Sequence, residues 1–154
     1  MEFIAEPDRQ SIVIRRVFDA PRHLVFKACT EPDLLVRWWG SSDFENSVDR
    51  MDVRPGGTYR YVSRDGRGTE FAIGGVYHDV VAPERIVQTF QFEGMPGQVQ
   101  LETITFEEVE GGTRYEAVCI FQSVGQRDDA VRYGMEAETH GSMDRLARVV
   151  ASLR

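Results

Sequence analysis

The side chains of this 154-residue chain best equipped for chemistry are three histidines, two cysteines, two tryptophans and five tyrosines. His140 lies in the last segment, beside Gly141 and about one helical turn beyond Met135. From there it could hydrogen-bond a ligand or serve as a general base, although a solvated helix surface is the commoner setting. His78 stands beside Asp79, but neighbours on a strand point to opposite faces and cannot pair directly. His23 reads as a solvated residue on a short helix. Ser42, Ser63, Ser123 and Ser142 belong to no nucleophile elbow or triad motif. Cys29 and Cys119 have no base nearby in sequence and read as two buried free thiols. There is no HxxxH, HxH or ligand-spaced carboxylate cluster for a metal. No phosphate-loop lysine follows the glycine-rich spots, so no cofactor is expected.

What remains is aromatic. Strand-like runs carry Tyr59, Tyr61, Phe71, Tyr77, Phe90 and Phe92. Burying such a side chain removes on the order of 150–250 Å² from water, and for most of them a solid core would suffice. An inward phenol hydroxyl, however, needs a partner or water. A sheet face with several tyrosines is therefore more easily explained by a wet or ligand-filled cavity. Trp38 and Trp39 are candidates for a lid or gate; adjacent positions on a helix look to different sides, so they cannot share one role. The expected cavity wall comprises Trp38, Trp39, Tyr59, Tyr61 and Phe71. Tyr77, Phe90, Phe92, Met135 and His140 complete it.

Those residues need elements to hold them. Residues 1–9 read as a loose lead-in. Ser11 to Phe18 reads as a strand, with Ile12, Ile14 and Phe18 on one face. Pro21 and Pro32 each open a short helix, because proline in a first helical turn loses no hydrogen bond. From Phe44 to Phe121, strand-like runs alternate with turns at Pro55-Gly56-Gly57, Asp65-Gly66, Ala82-Pro83, Glu93 to Gly97 and Gly111-Gly112. This is a six-strand meander, and with the first strand it predicts a seven-stranded antiparallel sheet. One face is apolar and the other polar. The parity of Val99 and Leu101 differs from that of Ile104 and Phe106, which predicts a bulge near Glu102 or Thr103. Gly74-Gly75 predicts a second bulge or a sharp bend. Arg127 to Leu153 reads as one long helix with an apolar stripe of Val131, Met135, Leu146, Val149, Val150 and Leu153. Gly141 and Ser142 interrupt the stripe, and small residues there either bring helix and sheet together or leave space between them.

Composition bounds the partners. The net charge of −7 and the lack of a basic patch argue against nucleic acid and anionic membrane surfaces. No apolar run approaches the ~20 residues of a membrane span. The N-terminus, MEFIAEPDRQ, carries acids where a secretory signal would carry bases, so a cytoplasmic setting is expected. Hydrophobic content of 42% and charged content of 28% suit a single globular domain over residues 1–154.

Residues 17–40, VFDAPRHLVFKACTEPDLLVRWWG, place a strand, two short helices and an aromatic pair in series. This stretch resembles the AHSA-type branch of the START-related (SRPBCC) superfamily, named after an activator of a heat-shock protein ATPase. MDVRPGGTYRY at 51–61, GGVYHDVVAPERIVQTF at 74–90, TFEEVEGGTRYE at 105–116 and HGSMDRLARVV at 140–150 resemble later parts of the same pattern. The resemblance implies an α+β helix-grip fold, a curved antiparallel sheet gripping a long C-terminal helix around an internal pocket. Larger eukaryotic members carry an additional N-terminal chaperone-binding domain, which is not expected within these 154 residues.

Three functions follow. The leading one is a module that binds a small hydrophobic, aromatic or lipid-like molecule in the pocket rather than an enzyme. An alternative is a cyclase- or dehydratase-like cavity enzyme using His140 and an inward tyrosine. The third is a co-regulator of a chaperone ATPase. A homodimer is compatible with the size of the chain, but no stretch marks an interface.

Overall fold

A computed structural model describes residues 1–154. Eight antiparallel strands form one sheet in the order β1-β2-β8-β7-β6-β5-β4-β3. They are β1 (Glu2–Ile4), β2 (Ser11–Phe18), β3 (Glu45–Met51), β4 (Thr58–Arg64), β5 (Glu70–Val81), β6 (Arg85–Phe92), β7 (Val99–Val109) and β8 (Gly112–Ile120). Four of the five expected turns fall between strands, and the fifth, Gly111-Gly112, runs into the first residue of β8. The count is eight rather than seven because Glu2–Ile4, within the expected loose lead-in, pairs with β2 at the sheet edge. Three residues are too few for a period of two to register in a sequence.

The helices are α1 (Arg22–Thr30), α2 (Pro32–Leu35), α3 (Val124–Arg132) and α4 (Met135–Ser152). Pro21 caps α1 and Pro32 occupies the first turn of α2. The C-terminal segment is two helices, not one. Tyr133 closes α3, and Gly134 adopts φ +94° to start α4. Glycine reaches that left-handed conformation without a Cβ penalty, which makes it a common helix terminator. Ser123 begins α3 with its hydroxyl accepting from the Gln126 N–H at 3.1 Å.

The two predicted irregularities fall elsewhere. β7 runs in unbroken register against both β6 and β8, with no bulge at Glu102 or Thr103. Gly74 is also in register; the β5 irregularity lies between Tyr77 and Asp79, and another interrupts β3 between Val48 and Arg50. The glycine pair serves close approach instead. A Cβ on Gly75 would lie 2.0 Å from the Thr89 carbonyl oxygen.

The outer face of the sheet is solvated and laced with ion pairs such as Arg15–Glu116 and Arg60–Glu93. The inner face meets the helices unevenly. Leu146, Val149 and Val150 of α4 are buried with Val25, Phe26 and Ala28 of α1. Phe26 stands edge-on to Phe106, with ring centres 5.3 Å apart. This half is solid. Beneath Met135, Thr139 and Ser142, in the first half of α4, the sheet and helix are separated by a hollow.

Candidate functional site

The hollow has a volume of about 400 Å³. Its rim begins at the Trp38-Trp39-Gly40 turn. The Trp38 indole N–H donates to the Ala28 carbonyl at 2.9 Å, which locks the ring to α1. Trp39 is half-buried and packs edge-on against Tyr61, centre to centre 5.0 Å. The helix expected to carry both tryptophans ends at Leu35, so they sit on the turn that follows it; they differ in role, and both border the hollow. Gly40 holds φ +82°, where a side chain would also run into Asn46. Arg145 of α4 fixes the turn from the other side, donating to the carbonyls of Trp38, at 3.2 Å, and Gly40. A guanidinium on the last carbonyls of a helical turn complements their partial negative charge.

Strand register builds the floor. Tyr77, Gln88, Glu102 and Cys119 stand opposite one another on β5, β6, β7 and β8. Gln88 Nε2 donates to Glu102 Oε1 at 3.2 Å and approaches the Tyr59 hydroxyl at 3.5 Å. The Cys119 thiol donates to Glu102 Oε2 at 3.5 Å. The Tyr59 hydroxyl donates to the Thr89 carbonyl at 2.5 Å. The next row, Ile86, Ile104, Ala117 and Ile14, is wholly apolar.

The electrostatics follow from burial. Glu102 faces the hollow, and loss of solvent raises its carboxyl above the usual carboxylate range, against the lowering effect of its bonds from Gln88 and Cys119. Burial likewise pushes Tyr59, Tyr61 and Tyr115 well above the ordinary phenol value, so all three stay neutral. Cys29 is pushed up to about 12 by burial, and Cys119 also rises, first by burial and then through Glu102. Neither thiol is an activated nucleophile, since attack requires the thiolate. No group of His, Cys, Asp and Glu side chains is arranged to hold a metal ion.

Six of the ten expected wall residues border the hollow: Trp38, Trp39, Tyr59, Tyr61, Phe90 and Met135. The other four do not. Tyr77 is buried at 2% exposure, beneath the wall and 5.2 Å from the Tyr59 ring centre. Phe71 and Phe92 form an aromatic cluster with Phe44 at the far end of the inner face. His140 is exposed on the outer flank of α4, near Asp144, whose carboxylate accepts from Arg16 at 2.7 Å. The wall also contains Gln88, Gln100, Glu102, Tyr115, Cys119 and Glu138, none of which sequence reasoning selected. For Gln100 and Glu102 the signal was present in β7, where they share one parity with Ile104 and Phe106.

An open antiparallel sheet closed by a C-terminal helix, with a hollow between them, defines a helix-grip protein of the START-related class. The family profile described as Activator of Hsp90 ATPase homolog 1-like protein matches residues 19–151, and the chain belongs to that family. A protein of Rhodobacter sphaeroides shares the fold with a TM-score of 0.90 at 22% identity, over 99% of each chain. A Chromobacterium violaceum protein gives a TM-score of 0.81 at 28% identity, covering 92% of this chain and 96% of its own. The AHSA1-like protein from Aeromonas hydrophila gives 0.72 at 22% identity, over 93% of each chain. No functionally curated protein matches this chain in sequence. No helix is long and apolar enough to cross a membrane.

Proposed function

We propose that this protein binds a small, largely apolar molecule between the sheet and the first half of α4. The observation that carries the reading is the hollow itself. Its volume of about 400 Å³ lies within the ~300–1,000 Å³ usual for ligand pockets. Its wall has the expected composition, mainly apolar and aromatic with a few convergent polar groups. Binding is favoured over catalysis because Glu102, the floor's carboxyl group, has no histidine or activated nucleophile beside it. His140 lies outside, the wall phenols are neutral, and both thiols are held protonated. The two free cysteines suit a reducing compartment, and we place the protein in the cytoplasm as a single domain.

Titration with Nile red, an uncharged dye whose emission rises in apolar surroundings, tests the reading. Saturable one-to-one binding accompanied by a change in Trp38 and Trp39 fluorescence is expected. Native mass spectrometry of protein from its own host should show a co-purified small molecule. No saturable binding of the dye, together with a bare mass, overturns the proposal.

A further inference from the structure

The charge inventory of the hollow is one-sided. Two carboxyl groups border it, Glu102 in the floor and Glu138 on α4, and no lysine, arginine or histidine does. Glu102 receives only an amide N–H at 3.2 Å and a thiol at 3.5 Å. A thiol is a weak donor, and a carboxylate has about four acceptor sites to fill. An inward carboxyl group without a cation costs folding free energy unless something compensates it. The ladder is continuous on both sides of β7, so the position is not the accident of a bulge.

Around that carboxyl the wall is aromatic, with Tyr59, Tyr61, Tyr115, Phe90, Trp38 and Trp39 all bordering the space. Aromatic faces attract cations through the ring quadrupole. The phenol oxygens also retain lone pairs as acceptors. An acid entering this space would meet a carboxyl group and no positive partner. A neutral alcohol would gain one hydrogen bond. A protonated amine would gain an ion pair with Glu102, acceptors beside it and aromatic faces around it. The chain's net charge of −7 also favours the approach of a cation.

From this juxtaposition we infer that the hollow selects an apolar or aromatic molecule carrying a protonated amine, seated on Glu102, and rejects carboxylic acids of the same shape. The inference rests on the binding function proposed above and specifies its ligand class. Nothing is transferred covalently. The ammonium group donates to the Glu102 carboxylate; a proton already on the carboxyl group leaves to solvent when the ammonium binds, or passes to the nitrogen when the ligand arrives as the neutral amine.

Displacement of Nile red by decylamine, decanol and decanoate, all below their aggregation limits, tests it. A charge-assisted bond in place of a neutral one should make decylamine at least ~10-fold tighter than decanol, with decanoate weakest. In Glu102→Gln, shown to be folded by a cooperative melt, the amine-to-alcohol ratio should fall to about one. That variant changes the net charge by only one of seven, so general attraction of the amine to an acidic protein would survive it. Decanoate binding as tightly as decylamine in the native protein overturns the inference while leaving the cavity reading intact. An amine preference that persists in Glu102→Gln does the same. Failure of Nile red and all three chains to bind removes both.

Discussion

Ala117 offers a sign test of the hollow. It lies on β8 between Tyr115 and Cys119, opposite Ile104 on β7 and Ile14 on β2, and its side chain borders the empty space. It is nonetheless only 3% exposed, so bulk solvent does not reach it. Ala117→Leu adds three carbon atoms. At ~0.8 kcal/mol for each buried CH₂, the gain is at most ~2.4 kcal/mol, and imperfect fit should leave about 1–2 kcal/mol. For a chain of this length that is a rise of roughly 2–8 °C in Tm. The added atoms occupy space comparable to three waters, ~90 Å³, out of about 400 Å³. Nile red should therefore bind at least ~10-fold more weakly, since fit and depth are both lost. The same change at Ala28, fully buried in the solid half of the core, should do the reverse. Overpacking there costs about 1–3 kcal/mol and lowers Tm. Calorimetric or fluorescence melts of both variants, with dye titrations, make the comparison. If Ala117→Leu melts below the native protein and binds Nile red unchanged, the space beside Ala117 is not a usable cavity.

Three further outcomes are expected. Glu102 binds its proton more tightly in the folded state, so its contribution to stability falls as pH rises through the raised value. The groups facing it, Gln88, Tyr59, Tyr115 and Cys119, with Glu138 across the hollow, include no cation that would reverse this sign. Glu102→Gln should thus melt above the native protein at pH 7.5, with the gap closing towards pH 4; a gap that widens on acidification contradicts the assignment. Gly75→Ala should cost at least ~3 kcal/mol in a urea melt, because its Cβ would lie 2.0 Å from the Thr89 carbonyl and backbone cannot step aside. A loss under ~1 kcal/mol would mean that β5 and β6 are not so closely apposed. Cys29 is half-buried and Cys119 buried, and burial raises both thiols, so iodoacetamide at pH 8 should label native protein more slowly than unfolded protein, Cys119 the more strongly protected. Rapid native labelling of either thiol would show the interior to be open to water.

Much of the architecture was legible because its punctuation is chemical. Glycine and proline mark every turn of the meander, and prolines mark both short helices. The break between α3 and α4 was harder to see. Gly134 and Gly141 look alike in sequence, yet Gly134 takes the left-handed conformation while Gly141 stays inside α4. Only the local backbone separates a terminator from a tolerated glycine. The exclusion of His140 was available from simple counting. From Met135, the inward face continues to Thr139, Ser142, Met143 and Leu146, in steps of three and four. His140 is one residue past Thr139, a rotation of about 100° on a helix of 3.6 residues per turn, which carries it to the flank.

The floor of the site was obscured by a rule that usually holds. With hydrophobic residues inside, the alternation in VQLETITF predicts Val99 and Leu101 inward, then a bulge, then Ile104 and Phe106 inward. The strand has no such interruption. Gln100 and Glu102 share the inner face with Ile104 and Phe106, while Leu101 is left 42% exposed. An unbroken strand leaves a polar pair inside and a leucine outside, whereas the bulge would have left neither. That exchange is unfavourable if the interior is dry, because an amide and a carboxyl group lose their water. It becomes tolerable where the facing space holds water or a ligand with its own polar end. The parity conflict in β7 was therefore the clearest statement of a site anywhere in the sequence. A strand whose apolar pattern slips beside in-register neighbours should be tested first for inward polar groups and only then for a bulge.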